Sequence, residues 1–208
     1  MSSSDATEWI TTTAQLQDLF GPVATPSVTK EVSYIHPLYR EMIEASPFAV
    51  LATGHAGGMD ISPRGDAPGF VVVEDAHTLL LPERRGNNRV DSLHNILANP
   101  DVALLFLIPG IGETLRVNGK ARISIAPELL QRFVVDGKPP KCVLQIAVDT
   151  VFFQCSRAIV RSHLWQLTPP QNRTVPTAGK ILSALSDASI NGEEYDNALP
   201  ARIQATLY

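Results

Sequence analysis

Two cysteines in 208 residues, Cys142 and Cys155, are too few for a disulfide framework, and their spacing fits no zinc-binding pattern. Both are expected to be small buried hydrophobes. Long apolar runs are missing too: the longest, Val102 to Ile108, is far too short to span a bilayer. Met1-Ser2-Ser3-Ser4-Asp5 lacks the basic start and apolar core of a secretion signal, so the expected location is the cytoplasm. Basic charge is in deficit. A net charge of −4 argues against nucleic acid or an anionic membrane as the main partner, though not against a small anion held by a few arginines. The five histidines, His36, His55, His77, His94 and His163, are scattered without metal-ligand spacing. There is no Walker loop and no nucleophile elbow, and Gly110-x-Gly112 lacks the third glycine of a dinucleotide loop. No nucleophile or acid–base pair announces itself.

What remains is an ordinary globular composition, 44% hydrophobic and 18% charged, long enough for one substantial core. Residues 1–46 read as a helical extension. Thr12-x-x-Gln15 is a capping box, Leu16, Leu19 and Phe20 give an apolar face, and Gly21-Pro22 stops the helix. A second helix starts at Pro37, with Leu38, Met42 and Ile43 facing inward, and ends at Ser46-Pro47. Residues 47–168 form the main domain. Residues 169–208 are a tail, opening beyond Thr168-Pro169-Pro170, in which Ile181, Leu182 and Leu185 suggest one more helix.

Within the main domain the texture is that of short strands. Phe48–Thr53 and Met59–Arg64 flank a turn, and Phe70–Val73 pairs with His77–Leu81 around Glu74-Asp75. One helix, Arg89–Ala98, places Val90, Leu93 and Leu97 on one face. Val102–Ile108 reads as a strand buried on both faces. A long strand runs from Thr114 to about Ile125, in which Asn118-Gly119 is expected to be a bulge and not a hairpin turn, because Pro109 to Gly112 already turns the chain. Pro127–Phe133 is a short helix, Val143–Gln154 the last strand or strand pair, and Ser156 caps a helix running to Trp165. The pattern predicts a mainly β fold with helices, a small barrel and not alternating βαβ units.

Three segments are candidates for chemistry. In Asp60-Ile61-Ser62-Pro63-Arg64-Gly65-Asp66 the strand period puts Asp60, Ser62, Arg64 and Asp66 on one face. Pro82-Glu83-Arg84-Arg85-Gly86-Asn87-Asn88-Arg89 opens into a helix, whose start suits a phosphate, with Asn87 or Asn88 able to cap it. Arg116, with Arg157 and Arg161 four residues apart on a helix that Trp165 continues, forms a third group. Each segment also has a plain reading as a solvated face or a surface turn.

Together these motifs resemble the pyridoxamine 5′-phosphate oxidase-related flavin-nucleotide-binding proteins. The carriers are Asp60 to Asp66 with Pro68-Gly69-Phe70, Leu81-Pro82 with Arg85-Gly86-Asn87-Asn88-Arg89, and Asn95-Ile96-Leu97 with Asn99-Pro100. Phe106-Leu107-Ile108-Pro109-Gly110 and Leu115 to Ala121 complete the set. The chain is similar to the subgroup with Ser-Pro-Arg-Gly-Asp and Gly-Asn-Asn-Arg signatures. The resemblance implies a split β-barrel, a homodimer, and flavin mononucleotide (FMN) bound where two barrels meet. It places Ser62, Arg64, Asn87, Asn88 and Arg89 at the phosphate. Asp66, Arg85, Arg116, Arg157 and Trp165 are the further candidate cofactor contacts. The true oxidases carry Arg-Lys-type pairs in these elements, and their pyridoxal phosphate contacts near the C-terminus find no counterpart here. The implied activity is flavin-dependent oxidoreduction of a small molecule, with a nicotinamide as a possible electron donor. The alternatives are a carrier or sensor that binds flavin without turnover, and the same fold holding a deazaflavin or haem.

Overall fold

The computed structural model of the protein describes residues 9–86, 88–166 and 175–208. Asn87 and the Thr168-Pro169-Pro170 stretch lie outside the described residues. Seven strands form one sheet: β1 (Phe48–His55), β2 (Gly58–Gly65), β3 (Val72–Asp75), β4 (Thr78–Glu83), β5 (Asp101–Leu107), β6 (Thr114–Ser124) and β7 (Cys142–Gln154). Their order is β2-β1-β5-β6-β7-β4-β3, and every neighbouring pair is antiparallel. Helices α1 (Thr13–Phe20), α2 (Thr25–Thr29) and α3 (Pro37–Ala45) precede the sheet. Helix α4 (Asp91–Ala98) joins β4 to β5, and α5 (Pro127–Gln131) joins β6 to β7. The chain ends in α6 (Arg157–Ser162), α7 (Ala178–Leu185) and α8 (Gly192–Thr206). The mainly antiparallel β architecture with flanking helices is the one expected from the strand pattern. The tail holds two helices where one was expected, and among the described residues no helix is long and apolar enough to cross a membrane.

The sheet does not lie flat. Four strands separate β2 from β4 in the sheet order, yet the Arg64 guanidinium on β2 bonds the Glu83 carboxylate on β4 at 2.6 Å. The right-handed twist of a long antiparallel sheet brings its ends round toward each other, and this pair bridges them. Inside the curl, Leu51, Leu79, Leu81, Leu104, Phe106, Leu115 and Ile146 are fully buried. On β5 the burial alternates: Val102, Leu104 and Phe106 face the core, while Ala103, Leu105 and Leu107 are half-buried. The expectation of burial on both faces is corrected accordingly. One face is core, and the second carries apolar residues that this chain covers only in part.

The expected bulge is present. The β6–β7 register shifts between Asn118 and Gly119, and a Cβ at Gly119 would run into the Ala147 carbonyl oxygen. Thr12 and Gln15 form the expected capping box, and Gly21 (φ 72°) ends α1. The apolar face of that helix is nevertheless exposed, with Leu19 at 64% and Phe20 at 78%. In α3, Ile43 is buried but Leu38 points outward. The two cysteines differ as well: Cys142 is buried and Cys155 is exposed at the end of β7.

Helix α4 departs most from its sequence pattern. It starts at Asp91, two residues later than expected, because Val90 (φ 50°) takes a left-handed conformation as N-cap with no side-chain cap. Among the described residues no side chain caps it, Asn88, itself at φ 62°, included. The buried face is Ser92, Asn95 and Ile96, while Val90 and Leu97 are exposed. Spacing of apolar residues misjudged the phase because two inward positions are polar with partners: Asn95 donates to Thr53 Oγ1 at 3.0 Å, and Ser92 bonds β2.

We expect Gly119→Ala to destabilise the fold by roughly 1–3 kcal/mol through overpacking against β7. The urea midpoint checks this, and an unchanged midpoint would show that the bulge has room that the geometry denies.

Candidate functional site

The curl of the sheet sets β2 beside the β4–α4 turn and opens a cleft of about 590 Å³ between them. Ser62, Arg64 and Asp66 line it from β2 and its end, and Arg85, Asn88 and Arg89 from the turn. Two of the three sequence segments therefore meet on one concave surface. Phe70, Pro63, Pro82, Val90 and Leu93 supply apolar wall. The third group stays outside. Arg116, on the central strand β6, stands over the Phe152 ring at 5.4 Å, and Arg157 and Arg161 are exposed on α6. The stripe through Trp165 is corrected: His163 (φ 53°) ends α6, so Trp165 no longer shares its phase, and the indole N–H bonds the Ile111 carbonyl at 2.7 Å.

The polar side chains of the cleft form one connected chain. Ser92 donates its only hydroxyl hydrogen to Asp60 Oδ2 (3.1 Å), so the Ser62 hydroxyl must be the donor to Ser92 Oγ (3.0 Å). Arg64 Nη1 in turn donates to Ser62 Oγ (2.9 Å) and to the Pro63 carbonyl (2.9 Å). Its Nε donates to Glu83, leaving Nη2 as the end available to a ligand among the described residues. Arg89 is exposed and paired with Asp91 at 2.9 Å. Arg85 and Lys141 line the cleft and make no ion pair among the described residues. Alternation along β2 exposed Asp60 to sequence reasoning, but Ser92 and Lys141 carried no signal there: each lies far along the chain from the motif it completes.

Below the cleft a second knot ties turn, strand end and C-terminus together. Arg84 donates to Asp66 Oδ2 (3.0 Å) and to the Phe133 carbonyl (2.7 Å), and Tyr208 donates its phenol to Asp66 Oδ1 (2.7 Å). Burial pushes the Asp66 carboxyl up, but the Tyr208 hydroxyl, the Ala67 N–H and the Arg84 guanidinium outweigh it and hold the group below its ordinary value of 3.8. The same hydrogen bond raises the Tyr208 phenol. Beside Glu83, burial pushes the Cys142 thiol up to about 11, so it is a thiol and no nucleophile at neutral pH. Asp66 is thus placed as a structural anchor whose two oxygens are both engaged. Among the described residues no group of three His, Cys, Asp or Glu could hold a metal ion.

A family model described as pyridoxamine 5′-phosphate oxidase matches residues 35–155, more than half of the chain. No curated protein matches at a significant level. Similar solved structures include HupZ of Group A Streptococcus, 23% identical, with 59% of this chain and 95% of that chain covered and a TM-score of 0.48. A Clostridium acetobutylicum protein related to general stress protein 26, of the pyridoxinephosphate oxidase family, is 14% identical over 55% of this chain and 84% of that chain, with a TM-score of 0.44. A FAD-binding protein from Mycobacterium smegmatis is 14% identical over 59% of this chain and 97% of that chain, with a TM-score of 0.41.

Because the Asp66 carboxyl is depressed, its contribution to stability is present above its ordinary value and is lost as pH falls through the depressed one. Tyr208→Phe removes one of the bonds responsible. The variant should unfold at lower denaturant than wild type at pH 7, and the gap should close as pH falls below 3.8 through the depressed value, once Asp66 is protonated in both. A gap that stays constant from pH 7 to pH 3 would assign Tyr208 a packing role only.

Proposed function

The chain belongs to the pyridoxamine 5′-phosphate oxidase family, and from that premise we propose that it binds FMN in the β2/α4 cleft and acts as a flavin-dependent oxidoreductase on a small molecule. The observation that carries this reading is the meeting of Ser62 and Arg64 with Arg85, Asn88 and Arg89 on one cleft that also has an apolar wall. A flavin phosphate brings nearly two negative charges. Arg64 Nη2, Arg85 and Arg89 offer forked, charge-assisted donors to it. The residues therefore fit the group: Arg64 Nη2 and Arg85 with the exposed guanidinium of Arg89 for the phosphate, and Phe70, Pro63 and Leu93 for an apolar ring. A bound flavin would supply the redox chemistry. That accounts for a cleft whose lining shows no activated nucleophile: its acids serve as partners to arginine or serine.

In this mechanism the chain's own residues position and exclude. Asp60 and Ser92 hold the Ser62 hydroxyl in one orientation, and Ser62 with Glu83 fixes the Arg64 guanidinium before any ligand arrives. Preorganisation of that kind lowers the ordering cost of binding. We extend the proposal to a homodimer, as the family reading implies. The half-buried apolar face of β5 gives it a surface, and Arg116, Arg157 and Trp165, which lie outside the cleft of their own chain, are proposed to border the flavin of a second copy.

Arg89→Ala should weaken FMN binding roughly 10- to 100-fold, the loss of one charge-assisted bond, while leaving the melting temperature of the flavin-free protein near wild type, since its side chain is 76% exposed. Arg64→Ala should lower both, because it strands the largely buried Glu83 carboxylate. Unchanged FMN affinity in both variants would remove the cleft as the flavin site. Purified protein showing the absorption of oxidised flavin, bleached anaerobically by NADH or NADPH, is the outcome expected of an oxidoreductase. Flavin that stays oxidised with every donor would leave a carrier. Sedimentation should give a dimer, and a stable monomer with FMN fully bound would overturn that part of the proposal.

A further inference from the structure

Beyond the cleft, a smaller pocket of about 380 Å³ lies between the turn after β4 and the loop before β7. Arg84, Arg85, Lys138 and Lys141 line it together with Tyr208, two prolines and Gly137, and no acidic residue does. Arg84 is paired with Asp66 outside the pocket, which leaves Arg85, Lys138 and Lys141 as three cations with no ion pair to an acidic side chain among the described residues, in a chain of net charge −4. Like charges so placed repel, and the arrangement is stabilised when an anion sits among them. The first cleft, by contrast, lines up Arg64, Arg84, Arg85, Arg89 and Lys141 against Asp60, Asp66, Glu83 and Asp91.

The loop is built to hold its lysines in place. Val135 and Lys138 exchange both backbone hydrogen bonds, N–H to O at 3.1 Å and 2.9 Å, closing a two-residue turn over Asp136 (φ 50°) and Gly137 (φ 73°). Those left-handed angles are what such a hairpin turn requires. Pro139 and Pro140 stiffen the exit, and the Lys141 N–H then bonds the Glu83 carbonyl at 2.9 Å. From the other side, Arg84 is fixed by Asp66 and the Phe133 carbonyl and stands 5.4 Å from the Tyr208 ring centroid, while Lys138 Nζ reaches the Tyr208 carbonyl at 3.1 Å. Arg85 and Lys141 are exposed and make no ion pair among the described residues. Arg84, Arg85 and Lys141 line both cavities, so the two are neighbours with a shared cationic wall.

We propose that the pocket of Arg84, Arg85, Lys138, Lys141 and Tyr208 is a second anion subsite, for a phosphate-type group lying next to the one bound in the cleft. The proposal deepens the flavin reading where the two cavities act together, but the subsite itself stands on its own charges. The second group comes either from the same molecule, as the further phosphate of flavin adenine dinucleotide (FAD), or from a separate phosphorylated ligand.

Calorimetric titration separates these sources. If the cofactor supplies the group, FAD binds wild type roughly ten-fold or more tighter than FMN, the worth of one added charge-assisted bond. Lys138→Glu, which alters only the second pocket, then abolishes that advantage and leaves FMN affinity unchanged. If a separate ligand supplies it, FAD gains nothing over FMN, and FMN-saturated wild type binds inorganic phosphate or pyrophosphate with an isotherm that Lys138→Glu removes. A thermal melt of the variant, and Lys138→Met beside it, guards against misfolding. The proposal is overturned if wild type shows neither an FAD advantage nor a phosphate isotherm, or if Lys138→Glu and Lys138→Met leave both unchanged. Should no flavin bind at all, the flavin reading fails by itself, and phosphate titration of the ligand-free protein still decides the subsite by the same rule.

Discussion

The ion pair between Arg64 and Glu83 is the interaction on which the arrangement of the site depends. Four strands separate its partners in the sheet order, and both side chains are largely shielded, at 18% and 13% exposure. Taking two charges out of water is costly, and only tight geometry with further hydrogen bonds offsets that cost. Arg64 meets the condition through Ser62 and the Pro63 carbonyl, and Ser62 is held in turn by Ser92 and Asp60. The pair therefore does more than link two strands. It fixes how far the sheet curls, and with that the width of the cleft and the distance between the β2 cations and those of the β4–α4 turn.

Around this pair the polar groups are arranged so that the charges on the floor of the cleft are satisfied within the protein, whereas Arg85 and Lys141 toward the neighbouring pocket make no ion pair among the described residues. Asp66 binds Arg84, Tyr208 and the Ala67 N–H, and Glu83 binds Arg64. No buried side-chain nitrogen or oxygen among the described residues lacks a partner. Positive potential is therefore concentrated at the open rim, where an anion can approach. The chain's overall negative charge keeps that attraction local.

Much of this was legible in the sequence, and the parts that were not share a cause. Strand alternation set Asp60, Ser62, Arg64 and Asp66 on one face, and the turn chemistry at Pro109 to Gly112 gave Asn118-Gly119 away as a bulge. The resemblance of ordered motifs indicated the family that the matched region, residues 35–155, establishes. The phase of α4 was not legible, because its inward face carries Ser92 and Asn95, whose value lies in partners on β1 and β2. The helical stripe from Arg157 and Arg161 to Trp165 was not legible either, because a left-handed His163 breaks the period that the spacing presumed. The exposed face of α1 shows the converse, an amphipathic pattern that none of the described residues buries. Long-range pairing decided each of these, and periodicity counts only neighbours along the chain.

The burial of Cys142 has a chemical consequence of its own. Hydrogen peroxide attacks cysteine sulfur chiefly as thiolate. Cys142 sits opposite Glu83 in the β4–β7 register, close under the cleft, and with its proton held to about pH 11 it presents almost no thiolate at neutral pH. A peroxide reaching this end of β4 and β7 would thus meet at Cys142 a sulfur held in its unreactive thiol form.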